Sequence, residues 1–135
     1  YRQHERYFNT YGGNPVACAV AHEVLAVIDD EGLVENAAVV GQYVLQGFVD
    51  LLSRHECIGD VRGTGLFLAV ELVTDREARI PATELAATVV NGLRKSGVLT
   101  GSIGPADNIL KLRSPLVLSK DDADYFLGTL DEVLP

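Results

Sequence analysis

Between His55 and Val73 the apolar residues stop recurring every third or fourth position and gather into strand-like runs, and that change of period narrows the folds open to the chain. Upstream, Ala37, Val40, Gly41, Val44, Phe48 and Leu51 fall on one face of a helix predicted from about Leu33 to Arg54. Downstream, Ile58 to Arg62 and Leu66 to Val73 read as two strands around a Gly63-Thr64-Gly65 turn. The second run is nearly all apolar, which predicts a central strand covered on both faces.

The remaining segments extend this pattern. A helix is predicted from Pro15 to about Asp29, with Val20, Val24, Val27 and Ile28 as its inner face. Asp29-Asp30-Glu31-Gly32 should end it, and a turn so short predicts an antiparallel pair with the next helix. Thr74 to Pro81 reads as a charged loop. Thr83 can cap a helix that buries Leu85, Val89 and Leu93 and stops at Gly97. Val98 to Thr100 and Ile109 to Arg113 look like short strands flanking a flexible Gly101–Pro105 loop. Ser119, with Asp122 three residues on, has the form of a capping box before a last helix that buries Ala123, Phe126, Leu127, Leu130 and Val133. The order is ααββαββα, which predicts an α+β two-layer sandwich with a small sheet covered by helices. At 135 residues it is one domain.

Composition restricts the function classes. A net charge of −8 argues against broad binding to nucleic acid or an anionic membrane, while leaving room for one local anion pocket. No apolar run approaches the roughly 20 residues of a membrane span, and the first residues are too polar for a secretory signal. The chain starts without Met, as a fragment would. Cys18 and Cys57 form no metal or redox motif, so buried free thiols in a reducing cytosol are expected. His4, His22 and His55 lack ligand spacing, and no metal is expected.

Two stretches carry chemistry. In Tyr7-Phe8-Asn9-Thr10-Tyr11-Gly12-Gly13-Asn14-Pro15, adjacent glycines permit a tight loop, Asn14 can cap, and Pro15 suits the first helical position. A hydroxyl, Thr10, thus sits on a loop entering a helix N-terminus. This is either an ordinary turn and cap or a place receptive to phosphate. In the second stretch, Lys111 and Arg113 alternate with Leu110 and Leu112, so a strand puts both cations on one face. They could hold a carboxylate or phosphate, or be exposed charges on an edge strand. Arg62-Gly63-Thr64-Gly65 is a lone G-x-G without a following helix, and reads as a turn. Residues 1–8, with Tyr1, Arg2, His4, Arg6, Tyr7 and Phe8, form an aromatic and basic lead-in, either docked or solvated.

The stretch from Phe8 to Ala19 resembles a hallmark of the class III (ornithine and 4-aminobutyrate aminotransferase-like) pyridoxal-phosphate enzymes. The resemblance continues through Asp60–Phe67 and Asn108–Leu116, and is nearest to the branch with alanine–glyoxylate aminotransferase 2 and the ethanolamine-phosphate phospho-lyases. It implies that residues 15–135 are the C-terminal small domain of such an enzyme, preceded by a lead-in and phosphate loop at 1–14, with the large cofactor domain outside the chain. It further implies that Thr10 binds the pyridoxal phosphate of the neighbouring subunit in a homodimer, with Gly12 and Gly13 shaping the loop. Many members hold the substrate carboxylate with an arginine at the position of Lys111. This sequence has lysine there, as the phospho-lyase branch tends to, and its arginine two residues later. Such enzymes also need a lysine for the cofactor's Schiff base. The family's lysine falls before Tyr1, and Lys95, Lys111 and Lys120 match no such motif. No catalytic residue is therefore expected here, and the chain alone should be inactive. The reaction implied for the parent is amino transfer between an amine or amino acid and a keto acid. The alternatives are elimination from a phosphorylated amine and a non-catalytic small-ligand or interaction module.

Overall fold

The computed structural model describes residues 8–10 and 12–135. The lead-in through Tyr7, with His4, and Tyr11 lie outside the described residues. The chain divides into two units, Tyr1–Leu33 and Val34–Pro135.

The first unit carries helix α1 (Pro15–Asp30), which starts where the sequence says it should. Asn14 has extended backbone angles and its side chain accepts from the Ala17 N–H at 2.9 Å, while Pro15 takes the first helical position. Gly32 follows the helix with φ +60°, the left-handed conformation that ends it. The predicted inner face is not an inner face. None of α1 is buried, and Val16, Val20 and Val24 are 74%, 59% and 53% exposed. Helical period marks a face fit for burial without saying what covers it. Cys18 is exposed for the same reason, against the expectation of a buried thiol, and Cys57 is half-buried.

Helix α2 (Leu33–Arg54) leads into the second unit, followed by β1 (Ile58–Thr64), β2 (Phe67–Asp75), β3 (Ile80–Pro81), α3 (Thr83–Lys95), β4 (Gly101–Ile103), β5 (Ile109–Arg113) and α4 (Lys120–Val133). The sheet order is β1-β2-β5-β4, with every pair antiparallel, and the two-residue β3 pairs with the end of β2. Apart from β3, unforeseen in the charged loop, this is the expected two-layer α+β order. One core joins Val44 and Phe48 of α2, Val89 and Leu93 of α3 and Leu130 of α4 to Val70, Leu72 and Leu110 of the sheet. Phe48 meets Phe126 of α4 edge to face, with ring centroids 6.0 Å apart.

Because the three helices cover one face, β2 alternates. Leu68, Val70 and Leu72 are buried, whereas Phe67 is exposed and Ala69 and Glu71 are half-buried. The central position is as expected, but cover on both faces is not: Phe67, Ala69 and Glu71 are not buried, although Val73 at the end of the run is. An apolar run such as Phe67-Leu68-Ala69-Val70 does not distinguish a doubly covered strand from one whose outer face is merely apolar.

The hairpin between β1 and β2 also turns later than expected. Thr64 pairs with Phe67, so Gly65 and Leu66 form a two-residue loop, with Gly65 at φ +50° in its first central position. Further along, β4 occupies Gly101–Ile103 where a loop was expected, and residues 98–100 are not strand. Thr83 does not cap α3 through its side chain; it is the first helical residue and donates its hydroxyl to Ala106 O at 2.6 Å. Ser119 and Asp122 do form the reciprocal capping box of α4. Buried Asn108 locks the entry to β5, donating from Nδ2 to Leu72 O at 2.7 Å while its own carbonyl accepts from Leu72 N at 2.9 Å.

Candidate functional site

The chemistry-bearing residues fall on two surfaces, one in each unit. In the first, Asn9 accepts from the Gly12 N–H at 3.0 Å, closing an Asx-type turn around Thr10. A Cβ on Gly12 would sit 3.1 Å from the Asn9 side chain, so Gly12 allows a close approach, while Gly13 supplies a left-handed turn at φ +76°. The two glycines thus have separate tasks. Thr10 is exposed, and no described residue binds its hydroxyl. The Ala17 amide, by contrast, is already taken by Asn14. Capping and anion binding compete for the same amides at a helix start.

The second surface is the outer face of the sheet. Leu110 and Leu112 are buried among the helices, so alternation turns Ile109, Lys111 and Arg113 outward. Both cations share this face as expected. Lys111 is not an edge-strand charge, because β5 lies between β2 and β4 there, whereas Arg113 lies beyond the end of β4 and pairs with β2 alone. Register places Lys111 beside Ala69 on one side and Gly101 on the other. Both neighbours are small, and a Cβ on Gly101 would meet nothing within 4 Å. The Lys111 ammonium makes no hydrogen bond or ion pair among the described residues. Arg113, opposite Phe67, stacks its guanidinium 5.3 Å from that ring's centroid.

A third cation on this face, Arg62, is committed. Its Nη1 donates to Asp60 Oδ2 and, at 2.8 Å, to Glu71 Oε2, and the two carboxylates hold its pKa above the ordinary arginine value. The sequence reads Arg62 as flanking a turn and as a tie to the rest of the parent, with no partner named for it in the sheet. The observed register sets Asp60 opposite Glu71 and Arg62 opposite Ala69. The alternating charges of Asp60 and Arg62, facing Glu71 across a hairpin, were the available signal.

A cleft of about 280 Å³ opens at the end of β5, lined by Val98, Thr100, Lys111, Arg113, Tyr125 and Phe126. Phe126 and Tyr125 of α4 line it, and Thr100 Oγ1 donates to Lys111 O at 2.9 Å beside it.

The other sequence candidates are structural. His55 bonds Asp131 through Nε2 at 2.7 Å and Pro135 O through Nδ1 at 3.0 Å, so it is a satisfied histidine. Among the described residues no three His, Cys, Asp or Glu side chains group as metal ligands, and no helix is long and apolar enough to cross a membrane. Lys95 ends α3 and Lys120 begins α4.

Comparison with known proteins shows the family. The Drosophila melanogaster protein named alanine–glyoxylate aminotransferase 2-like is 51% identical over 129 residues, covering 95% of this chain and 26% of its own length. The solved phospholyase from Arthrobacter in complex with phosphoethanolamine superposes with a TM-score of 0.89 at 37% identity, covering 98% of this chain and 32% of that one. An amine transaminase from an uncultivated Pseudomonas species, solved in its PLP-bound form, gives 0.83 at 34% identity, covering 95% of this chain and 29% of that one. The chain therefore spans about a quarter to a third of the length of these proteins. With residues 3–134 also matching the Aminotransferase class-III family, this chain belongs to the class III aminotransferases.

Proposed function

We propose that the chain is the C-terminal small domain of a pyridoxal-phosphate-dependent aminotransferase whose larger part carries the cofactor lysine. The parent would move an amino group between an amine or amino acid and a keto acid, as a cytoplasmic homodimer. Bound pyridoxal phosphate would supply the electron sink for that chemistry. This chain's own residues bind and orient. Thr10, on a loop shaped by Gly12 and Gly13, donates its hydroxyl to the cofactor phosphate of the neighbouring subunit. Lys111, with Arg113 beside it, attracts the anionic group of the substrate.

The observation that carries the reading is the Lys111 ammonium, unpaired among the described residues on an interior strand between Ala69 and Gly101. An unpaired cation on this half-buried outer face, with space around it, suits a transient anion. A second reading, elimination from a phosphorylated amine, is favoured by lysine at this position and by the likeness to the phosphoethanolamine-bound phospholyase.

The test uses the full-length parent. Thr10→Ala should release cofactor on dialysis, read by absorbance; full retention would sink the assignment of Thr10. Lys111→Glu should raise the Michaelis constant for the anionic substrate at least tenfold, about 1.4 kcal/mol of binding. Turnover of phosphoethanolamine, alanine or 4-aminobutyrate separates the two chemistries. A colourless parent that turns over none of them leaves a non-catalytic module as the better account.

A further inference from the structure

Asp60, Arg62, Glu71 and Lys111 share the outer face of the sheet, and their pairing is selective. Asp60 and Glu71 stand directly opposite each other on β1 and β2, a like-charge arrangement that destabilises a sheet unless something bridges it. Arg62 is that bridge, with one guanidinium nitrogen donating to both carboxylates. Arg79 lines the same depression but makes no ion pair among the described residues.

Lys111 is the diagonal neighbour of Glu71, because β2 pairs Ala69 with Lys111 and Glu71 with Ile109. Diagonal neighbours lie about 7–8 Å apart, within reach of long side chains. Arg62 and Lys111 flank Ala69 from opposite sides, on strands about 10 Å apart. Glu71 thus has two cations in reach and a small residue between them. It bonds Arg62 at 2.8 Å and leaves Lys111 free.

We propose that Arg62 is a positioning residue that sequesters Glu71 and Asp60, keeping the Lys111 ammonium uncompensated for a substrate anion. The proposal rests on the reading that Lys111 holds that anion. Arginine suits the task because its Nη1 carries two N–H donors, one for each carboxylate, and it stays charged at any working pH. Without it, Glu71 turns to Lys111, and the carboxylate competes with the substrate for the same ammonium.

The test compares full-length wild type, Arg62→Gln and Arg62→Gln/Glu71→Gln. The rate at which acetic anhydride acylates Lys111 is read by peptide mass spectrometry. Michaelis constants are measured for whichever of phosphoethanolamine, alanine and 4-aminobutyrate the wild type turns over. Arg62→Gln should slow Lys111 acylation about two- to fivefold, the range of an exposed ion pair. It should raise the Michaelis constant by a similar factor with kcat little changed, and the double variant should restore both. A loosened fold would instead speed acylation. Unchanged or faster acylation in Arg62→Gln overturns the proposal, as does a double variant that stays slow. Lys111→Gln tests the underlying reading separately: an unchanged Michaelis constant there removes Lys111 as the anion holder, while the acylation rates still report on whether Arg62 restrains Glu71.

Discussion

Gly41 of α2 packs its bare Cα against the carbonyl of Gly65 in the β1–β2 turn, and a β-carbon on Gly41 would stand inside that carbonyl group. Helix and hairpin meet backbone to backbone at this point, on a turn whose own Gly65 has φ +50°. The contact fixes where the hairpin lies on the helix layer, and hence where the outer face presents its charges.

Gly41→Ala should therefore destabilise the fold by about 1–3 kcal/mol through overpacking, outweighing the up to about 1 kcal/mol that alanine gains in a helix interior. Urea unfolding checks it. A variant as stable as wild type would mean that the helix can move away without cost.

Asn108 ties β2 to the start of β5, and its amide is buried. Asn108→Ala should cost about 1–3 kcal/mol, through a lost hydrogen bond and the space its side chain leaves. Leu72 O keeps a second partner, Ala82 N at 3.1 Å, so the loss should stay near the lower end. The midpoint of chemical denaturation reports it.

Asp131 joins the C-terminal helix to the end of α2. His55 foremost and then Arg54, whose Nη1 donates at 2.6 Å, hold its carboxyl below the ordinary aspartate value. A depressed folded pKa contributes stability that is present above the unfolded value and lost as pH falls through the folded one. The loss should thus begin near pH ~4, the unperturbed aspartate range, and continue below it. Asp131→Asn should show a shallower decline of stability over that window than wild type, measured as urea midpoint against pH.

The cysteines should react unequally. Cys18 is exposed on α1, whereas Cys57 is half-buried and its thiol is pushed up by burial. Iodoacetamide at pH 8 should label Cys18 well before Cys57, because the thiolate is the nucleophile. Equal rates, followed by mass spectrometry, would contradict this difference in surroundings.

Much of the architecture could be read from residue types. Asn14-Pro15 at the start of α1, Gly32 after it, the bounds of α2, and Ser119 with Asp122 at α4 are local signals, settled within a few residues of backbone. The shared face of Lys111 and Arg113 follows from alternation alone. The errors arose where a distant contact decided the outcome. The apolar run of β2 gave no hint that only one face is covered, and Gly63-Thr64-Gly65 offered two places to turn.

Sequence by itself determined the family, the caps of α1 and α4, the alternation that aims Lys111 outward and the Thr10 loop, because each depends on local conformation or on a short motif. Tertiary structure decided the partners. Gly41 against Gly65 accompanies a hairpin that turns at Gly65-Leu66, and that register puts Glu71 across from Asp60 and within reach of both Arg62 and Lys111. A shift of register moves side chains to other neighbours and, by one residue, to the other face, so a charge pattern acquires meaning only after the strands have docked.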